Sequence, residues 1–202
     1  MIKAITFDLD GVYFPDGKSN FITALQEHGV TEDEVKRVFL KSYKMNEQYK
    51  LGAITDEAYW TWARTEWKIS LTPEELQTLL IESYSVDPQV EALVKSVREH
   101  GYKTLICSNN FPARVNGLQN RFGFLDNFDV AVFSYEARAA KPSKKIFEEL
   151  VRRSGVSAHE IAYADDDVTK LSGAKELGIS AFVYEGFDAF VEHLKQLGVD
   201  TA

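Results

Sequence analysis

Apolar residues in this chain follow two rhythms. Short runs with strand character recur at Ala4 to Phe7, Thr104 to Cys107, Val130 to Phe133, Ile161 to Ala164 and Ala181 to Tyr184. Between the later runs, apolar positions return every three or four residues, which is the period of one helix face. Val90, Leu93, Val94 and Val97 form such a series and end at His100-Gly101, a basic-then-glycine stop signal. Ile146, Phe147, Leu150 and Val151 form a second, behind Ser143 as its cap, and Leu171, Ala174 and Leu177, closed by Gly178, form a third. Strands alternating with helices at this spacing predict an α/β fold, a doubly wound parallel sheet covered on both faces.

Residues 8–103 separate the first two runs, far more chain than one crossover helix needs. Within that stretch Thr31 and Glu34 have capping-box spacing, with Val30 and Val35 placed as a hydrophobic staple and Val35, Val38, Phe39 and Ser42 continuing a helical face. Thr72-Pro73-Glu74-Glu75 repeats the box, with proline at the first helical position and Leu76, Leu79 and Leu80 behind it. Thr55 to Trp67 reads as a helix between them, with Trp60, Ala63 and Trp67 on one packing face. Trp62 points away from that stripe and, with Tyr59, is expected to face substrate, a partner or the main domain. These signals predict an α/β core made of residues 1–16 and 87–202 and a small helical cap domain over residues 17–86. The expected hinges are Pro15-Asp16-Gly17 and Asp87-Pro88.

Composition narrows the class. A chain of 202 residues with 45% apolar content supports one core with an insert rather than two large domains. A net charge of −8 argues against nucleic-acid or anionic-membrane partners, which require clustered Lys and Arg. No stretch approaches the ~20 apolar residues of a membrane span and no signal-peptide core is present, so a cytoplasmic protein, monomer or homodimer, is expected. The single cysteine, Cys107, reads as a buried strand position, and the four histidines lack metal-ligand spacing and read as surface residues. No Gly-x-Ser-x-Gly elbow supports a serine hydrolase.

The candidate chemistry lies at the ends of the predicted strands, where open α/β sheets bind their ligands. Asp8 and Asp10 follow the first strand and lead into Gly11. Residues two apart on a strand share a face, so both carboxylates can meet one ligand, although Asp and Gly also suit a simple turn. Ser108-Asn109-Asn110 ends the second strand ahead of a helix starting near Pro112, offering a hydroxyl and helix-start amides as an anion cradle, or an ordinary turn. Lys141-Pro142 precedes the helix of Ile146, and a lone lysine there reads as a solvated charge. Asp165-Asp166-Asp167 concentrates hard oxygen donors suited to Mg²⁺.

Together, Asp8-Leu9-Asp10-Gly11-Val12, Ser108-Asn109, Lys141-Pro142 and Asp165-Asp166 resemble the four motifs of the haloacid dehalogenase superfamily, in the family's order, and the resemblance spans nearly the whole chain. Phe128-Asp129, Ser134 and Glu136 look like the region before its third motif, and the helical insert resembles the first cap class. The resemblance implies a Mg²⁺-dependent phosphomonoester hydrolase acting on a small phosphorylated metabolite, with a sugar phosphate as the expected substrate. It implies Asp8 as nucleophile forming an aspartyl phosphate and Asp10 as general acid and base. Ser108, Asn109 and Lys141 would bind the phosphate. The ion would be held by Asp8, the Asp10 backbone carbonyl and Asp166, with Asp165 supporting from outside. Retention of Asp10 speaks against dehalogenation, which has no leaving oxygen to protonate. A phosphoglucomutase-like phosphotransferase, or a non-catalytic binding module on the same fold, are the alternatives. Val12, Tyr13-Phe14 and Lys170 depart from the family pattern, and the two aromatics are expected to shape leaving-group selectivity.

Overall fold

Alternation along the first strand decides which helices cover which face of the sheet. The computed structural model describes residues 1–201. In chain order its elements are β1 (Ala4–Phe7), α1 (Gly17–Glu27), α2 (Glu32–Val35), α3 (Asp56–Trp67), α4 (Pro73–Glu82), α5 (Pro88–Glu99), β2 (Lys103–Ser108) and α6 (Pro112–Phe122). They continue with β3 (Val130–Phe133), α7 (Ser134–Ala137), α8 (Lys144–Ser154), β4 (Ile161–Asp165), α9 (Ser172–Glu176), β5 (Ser180–Val183) and α10 (Phe187–Gln196). The strands pair in parallel in the order β3-β2-β1-β4-β5. Ile5 and Phe7 of β1 join Val90, Val94 and Val97 of α5 and Phe190 and Leu194 of α10 on one face. Ala4 joins Leu105, Cys107, Ile146, Phe147, Leu150 and Ala174 on the other. Cys107 is accordingly buried and free, and burial pushes its thiol up to about 12.

The helix signals translate into caps with defined bonds. Thr31 and Thr72 each form the reciprocal box with Glu34 and Glu75, and Asp87 accepts from Gln89 and Val90 at the start of α5. Beyond α2 the periodicity is kept by wider turns, Lys36–Leu40 and Lys44–Tyr49, closed by i to i+5 bonds from Lys41 N to Lys36 O and from Lys50 N to Met45 O, both 2.9 Å. Ser42 joins the two segments, its hydroxyl donating to Val38 O at 2.6 Å and accepting from Met45 N at 3.1 Å. Phe21, Phe39, Trp60 and Trp67 then close an aromatic cluster among the helices that stand between β1 and β2.

Two expectations fail here and a third is narrowed. Tyr59 is buried, because the wide turn before α3 brings Tyr49 to stack on it at 4.4 Å, and its hydroxyl donates to Val38 O. Trp62 is half-buried against the same cluster, with the Lys44 ammonium 5.3 Å from its ring, and so is packed at least in part within the helices rather than turned wholly outward. His193 is likewise not a plain surface residue, since it stacks on Phe182 at 4.7 Å. No helix among the described residues is long and apolar enough to cross a membrane.

Candidate active site

Asp8 is the first residue past β1, whose neighbours are β2, ending at Ser108, and β4, ending at Asp165. From β1 the sheet extends one way through β2 and the other through β4, so Asp8 stands at a topological switch point. Directly afterwards the chain folds back, with Phe14 N donating to Leu9 O at 2.7 Å and Gly11 N to Phe14 O at 3.1 Å. Gly11 has φ +81°, and a Cβ there would lie 2.1 Å from Asp166 Oδ2, so the turn needs glycine both for its backbone and for the approach of that carboxylate.

Both carboxylates line one cavity, but this turn, not strand alternation, places them there. The ladder ends at Phe7, and the carboxylates of Asp8 and Asp10 diverge to separate partners. Asp8 Oδ1 accepts from Leu9 N at 2.8 Å and pairs with Lys141 Nζ at 3.0 Å. Asp10 Oδ2 pairs with Arg114 Nη2 at 2.6 Å and Lys18 Nζ at 3.4 Å, while Oδ1 accepts from the Tyr84 hydroxyl at 3.1 Å. Burial, with Asp165 and Asp10 nearby, pushes the Asp8 carboxyl above its ordinary range despite Lys141. Burial acts on Asp10 in the same direction, but Arg114, Lys18 and Lys50 outweigh it and hold that carboxyl below its ordinary range. Two carboxylates two residues apart are thus driven in opposite directions.

Lys141 is not the solvated lysine its local sequence suggests; it is 3% exposed. Its ammonium lies 2.6 Å from Asp165 Oδ2, which also accepts from the Tyr163 hydroxyl, while Asp165 Oδ1 accepts from Asp167 N at 3.0 Å. Burial alone would lower the Lys141 ammonium, but Asp8 and Asp165 keep it above the usual lysine range. Asn109 brackets the Lys141 backbone, accepting from its N–H at 2.7 Å and donating to its carbonyl at 3.0 Å. Its side-chain amide is therefore engaged in placing Lys141, while the residue itself lines the cavity.

The helix-start cradle is also altered. Asn110 N donates to Ser134 Oγ, Phe111 N to Asn110 Oδ1, and Ala113 N to Asp56 Oδ1. Asp56 of α3 thus occupies the start of α6, and the residues of this segment that line the cavity are Ser108, which is buried, and Asn109.

The cavity measures ≈ 190 Å³ and brings together Asp8, Asp10, Ser108, Asn109, Lys141, Asp165 and Asp166. Lys170 and Asp167 complete the sheet side, and Lys18, Asn46 and Lys50 reach in from the helices between β1 and β2. Drug-sized ligands occupy pockets of roughly 300–1,000 Å³, so this space admits an anion with a short organic tail. Burial, and the neighbouring cations Arg114 and Lys18, lower Lys50 to about 7. Tyr13 and Phe14 do not line this space; both are buried and pack edge-on against Phe128, Phe124 and Tyr84, which corrects the idea that they select the leaving group.

Oxygens of Asp8, Asp165 and Asp166 all lie within 4.8 Å of one another. Burial and the nearby Asp8 charge push the Asp166 carboxyl up to about 6. Crowded carboxylates sharing one lysine are poorly balanced alone and suit a hard divalent cation, with Asp8 and Asp166 supplying the freer oxygens. The Asp10 carboxylate is not among the three, being occupied by Arg114 and Tyr84.

Arg114, Tyr84, Lys18, Asn46 and Lys50 are the site residues that sequence reasoning missed. Arg114 left one signal: it stands four residues before Leu118 on the buried face of α6, an unusual place for a cation. The others come from segments with no motif.

The chain is similar to several known proteins. A haloacid dehalogenase family enzyme from Bacteroides thetaiotaomicron, solved as a variant in complex with magnesium and inorganic phosphate, superposes with a TM-score of 0.79 over 94% of this chain and 99% of that one, at 21% identity. The glyceraldehyde 3-phosphate phosphatase of Methanopyrus kandleri is 27% identical, covering 89% of this chain and 82% of its own. The haloacid dehalogenase-like hydrolase domain-containing protein 3 of Danio rerio is 31% identical over 56% of this chain and 47% of that protein. The family model for haloacid dehalogenase-like hydrolases matches residues 2–178, so the chain, with its parallel sheet and its acidic switch point, belongs to the haloacid dehalogenase-like hydrolase family.

Proposed function

We propose that this hydrolase is a Mg²⁺-dependent phosphatase that cleaves the phosphomonoester of a small metabolite, of short sugar-phosphate size, through an aspartyl phosphate on Asp8. The observation that carries the reading is the separation of the two carboxylates: Asp8 beside Lys141 and Asp166, Asp10 on the opposite set of cations. Asp8 attacks phosphorus in line and the ester P–O bond breaks, while Asp10 delivers a proton to the departing alkoxide. In the second step Asp10 takes a proton from water as that water attacks phosphorus, freeing phosphate and regenerating Asp8. Asp10, held ionised by Arg114, suits this base role; the charge of an arriving phosphate opposes Arg114 and raises its proton affinity for the first. Lys141 and Ser108 face the non-bridging oxygens. Mg²⁺ held by Asp8 and Asp166 would neutralise the phosphoryl charge that otherwise repels the nucleophile. We take residues 17–86 as a cap, which supplies Lys18, Asn46 and Lys50 to the leaving-group side and excludes bulk solvent.

A phosphate-release screen over sugar, nucleotide and amino-acid phosphates, with Mg²⁺ and with Asp8→Asn as control, tests this. Metal-dependent release by the wild type that the variant abolishes is the expected result; no release across the panel would overturn it. Incubation with a hexose 1-phosphate separates hydrolysis from transfer, since a transferase would form the isomeric sugar phosphate.

A further inference from the structure

Arg114 meets neither the phosphorus nor the ester oxygen in the mechanism above, yet it is 1% exposed and fully committed. Its Nε donates to Asn110 Oδ1 at 2.7 Å, Nη1 to the Tyr84 hydroxyl at 2.9 Å, and Nη2 pairs with Asp10 Oδ2 at 2.6 Å. The Phe111 ring centre lies 4.7 Å from the guanidinium carbon. The Tyr84 hydroxyl, accepting from Arg114, donates to the other Asp10 oxygen at 3.1 Å, so the three side chains close a buried ring.

Tyr84 lies between α4 and α5, where the inserted helices return to the core. Its own ring is fixed by Gly17, where a Cβ would come within 2.3 Å of it, and by Phe14 at 5.8 Å. Gly17 opens α1, where the chain enters the insert, and Asp87 N donates to Tyr13 O at 3.0 Å between the same two crossings. Both linkers therefore meet at the residue that holds Asp10. A proton donor must be held within about 0.5 Å of its productive position, and a free aspartate with two side-chain rotors is not.

We propose that Arg114 and Tyr84 are positioning residues for leaving-group protonation: they aim Asp10 at the ester oxygen, and Tyr84 makes that aim depend on how the two linkers are packed. The inference rests on the reading of Asp10 as the acid of a phosphatase. It differs from a general structural role in its dependence on the leaving group. An alkoxide must be protonated as it departs, whereas an aryl oxide leaves as a stable anion.

The test compares kcat and KM for phosphate release from glycerol 3-phosphate and from 4-nitrophenyl phosphate, using the full chain with Mg²⁺. Tyr84→Phe keeps the ring against Gly17 and removes only the hydroxyl. Since general acid catalysis contributes about 10²–10⁴-fold, we expect kcat on the alkyl ester to fall about 10-fold in Tyr84→Phe and about 100-fold in Arg114→Met. The loss on the aryl ester should be several times smaller, with KM little changed. Arg114→Lys should recover only part of the difference, because an ammonium lacks the planar fork that reaches Asp10 and Tyr84 together. Equal losses on both esters, or no loss in Tyr84→Phe, would overturn the positioning role while leaving the phosphatase reading intact. Should the wild type turn over neither ester, an alkyl ester it does hydrolyse in the panel above replaces glycerol 3-phosphate, and a wild type that releases phosphate from no ester sinks both. Should Arg114→Met fail to fold, Tyr84→Phe decides alone.

Discussion

Replacing Lys141 by alanine removes the only lysine among the described residues that pairs with both Asp8, at 3.0 Å, and Asp165, at 2.6 Å. A pair of unit charges 3.0 Å apart attracts by about 5 kcal/mol at an effective dielectric of 20, a gross figure from which the cost of burying the ammonium must be subtracted. What the variant loses is better judged from what it strands: Asp8, Asp165 and Asp166, with oxygens within 4.8 Å of one another and the ammonium that paired with two of them gone. Breaking a buried pair this way costs ~3–5 kcal/mol, which in a chain of this size lowers Tm by roughly 6–20 °C. On the proposed mechanism the rate suffers separately. One donor aimed at the developing phosphoryl charge is worth ~10²–10³ in kcat, and the Asp8 carboxyl, already raised by burial, rises further, moving the acid limb of the pH–rate profile to higher pH. Lys141→Met, which keeps most of the buried stem, should melt higher than Lys141→Ala but lose as much activity. Initial rates of 4-nitrophenyl phosphate hydrolysis at saturating Mg²⁺, beside thermal melts of both variants, check this. A folded variant retaining kcat within about 5-fold of wild type would refute the reasoning.

Asp166 supplies a pH prediction. Its carboxyl is raised to about 6 by burial and Asp8, so the metal-free folded state holds a proton that the unfolded chain releases near its ordinary 3.8; stability from this group is present at low pH and is lost as pH rises through about 6. Asp166→Asn should therefore raise the metal-free Tm above pH 6, leave it unchanged near pH 3, and abolish the rise that Mg²⁺ produces in the wild type; a lower Tm at pH 7 would contradict this. Gly11→Ala puts a methyl 2.1 Å from Asp166 Oδ2 at φ +81° and should weaken Mg²⁺ binding by at least ~10-fold, measured by calorimetry. Thr72→Ala removes the hydroxyl that accepts from Glu75 N at 3.1 Å and should cost ~1 kcal/mol, or a Tm loss of roughly 2–4 °C, without altering kcat.

Local pattern was a good guide wherever the cause was local. The short apolar runs mark the five strands to within a residue or two, and the Thr31 and Thr72 boxes mark helix starts, because the capping partners are three residues away. It failed at Tyr59, whose burial depends on Tyr49 arriving over it, and at Tyr13 and Phe14, whose partners Phe124 and Phe128 lie more than a hundred residues on. Lys141 shows the limit within the site itself. A motif could name the residue, while its burial and its place between Asp8 and Asp165 come from β1, β2 and β4 lying side by side.

Strand and helix order, the inserted helices and the acidic, serine and lysine positions at strand ends were therefore determined by the chain's own periodicity and motifs, since each is written within a few neighbouring residues. The opposed environments of Asp8 and Asp10 were decided only in three dimensions. Two carboxylates two residues apart are chemically alike in the sequence, and they part company because the turn at Gly11 sends one to Lys141 and the other to Arg114 and Tyr84, cations and hydroxyls brought there by packing of α6 and the linkers.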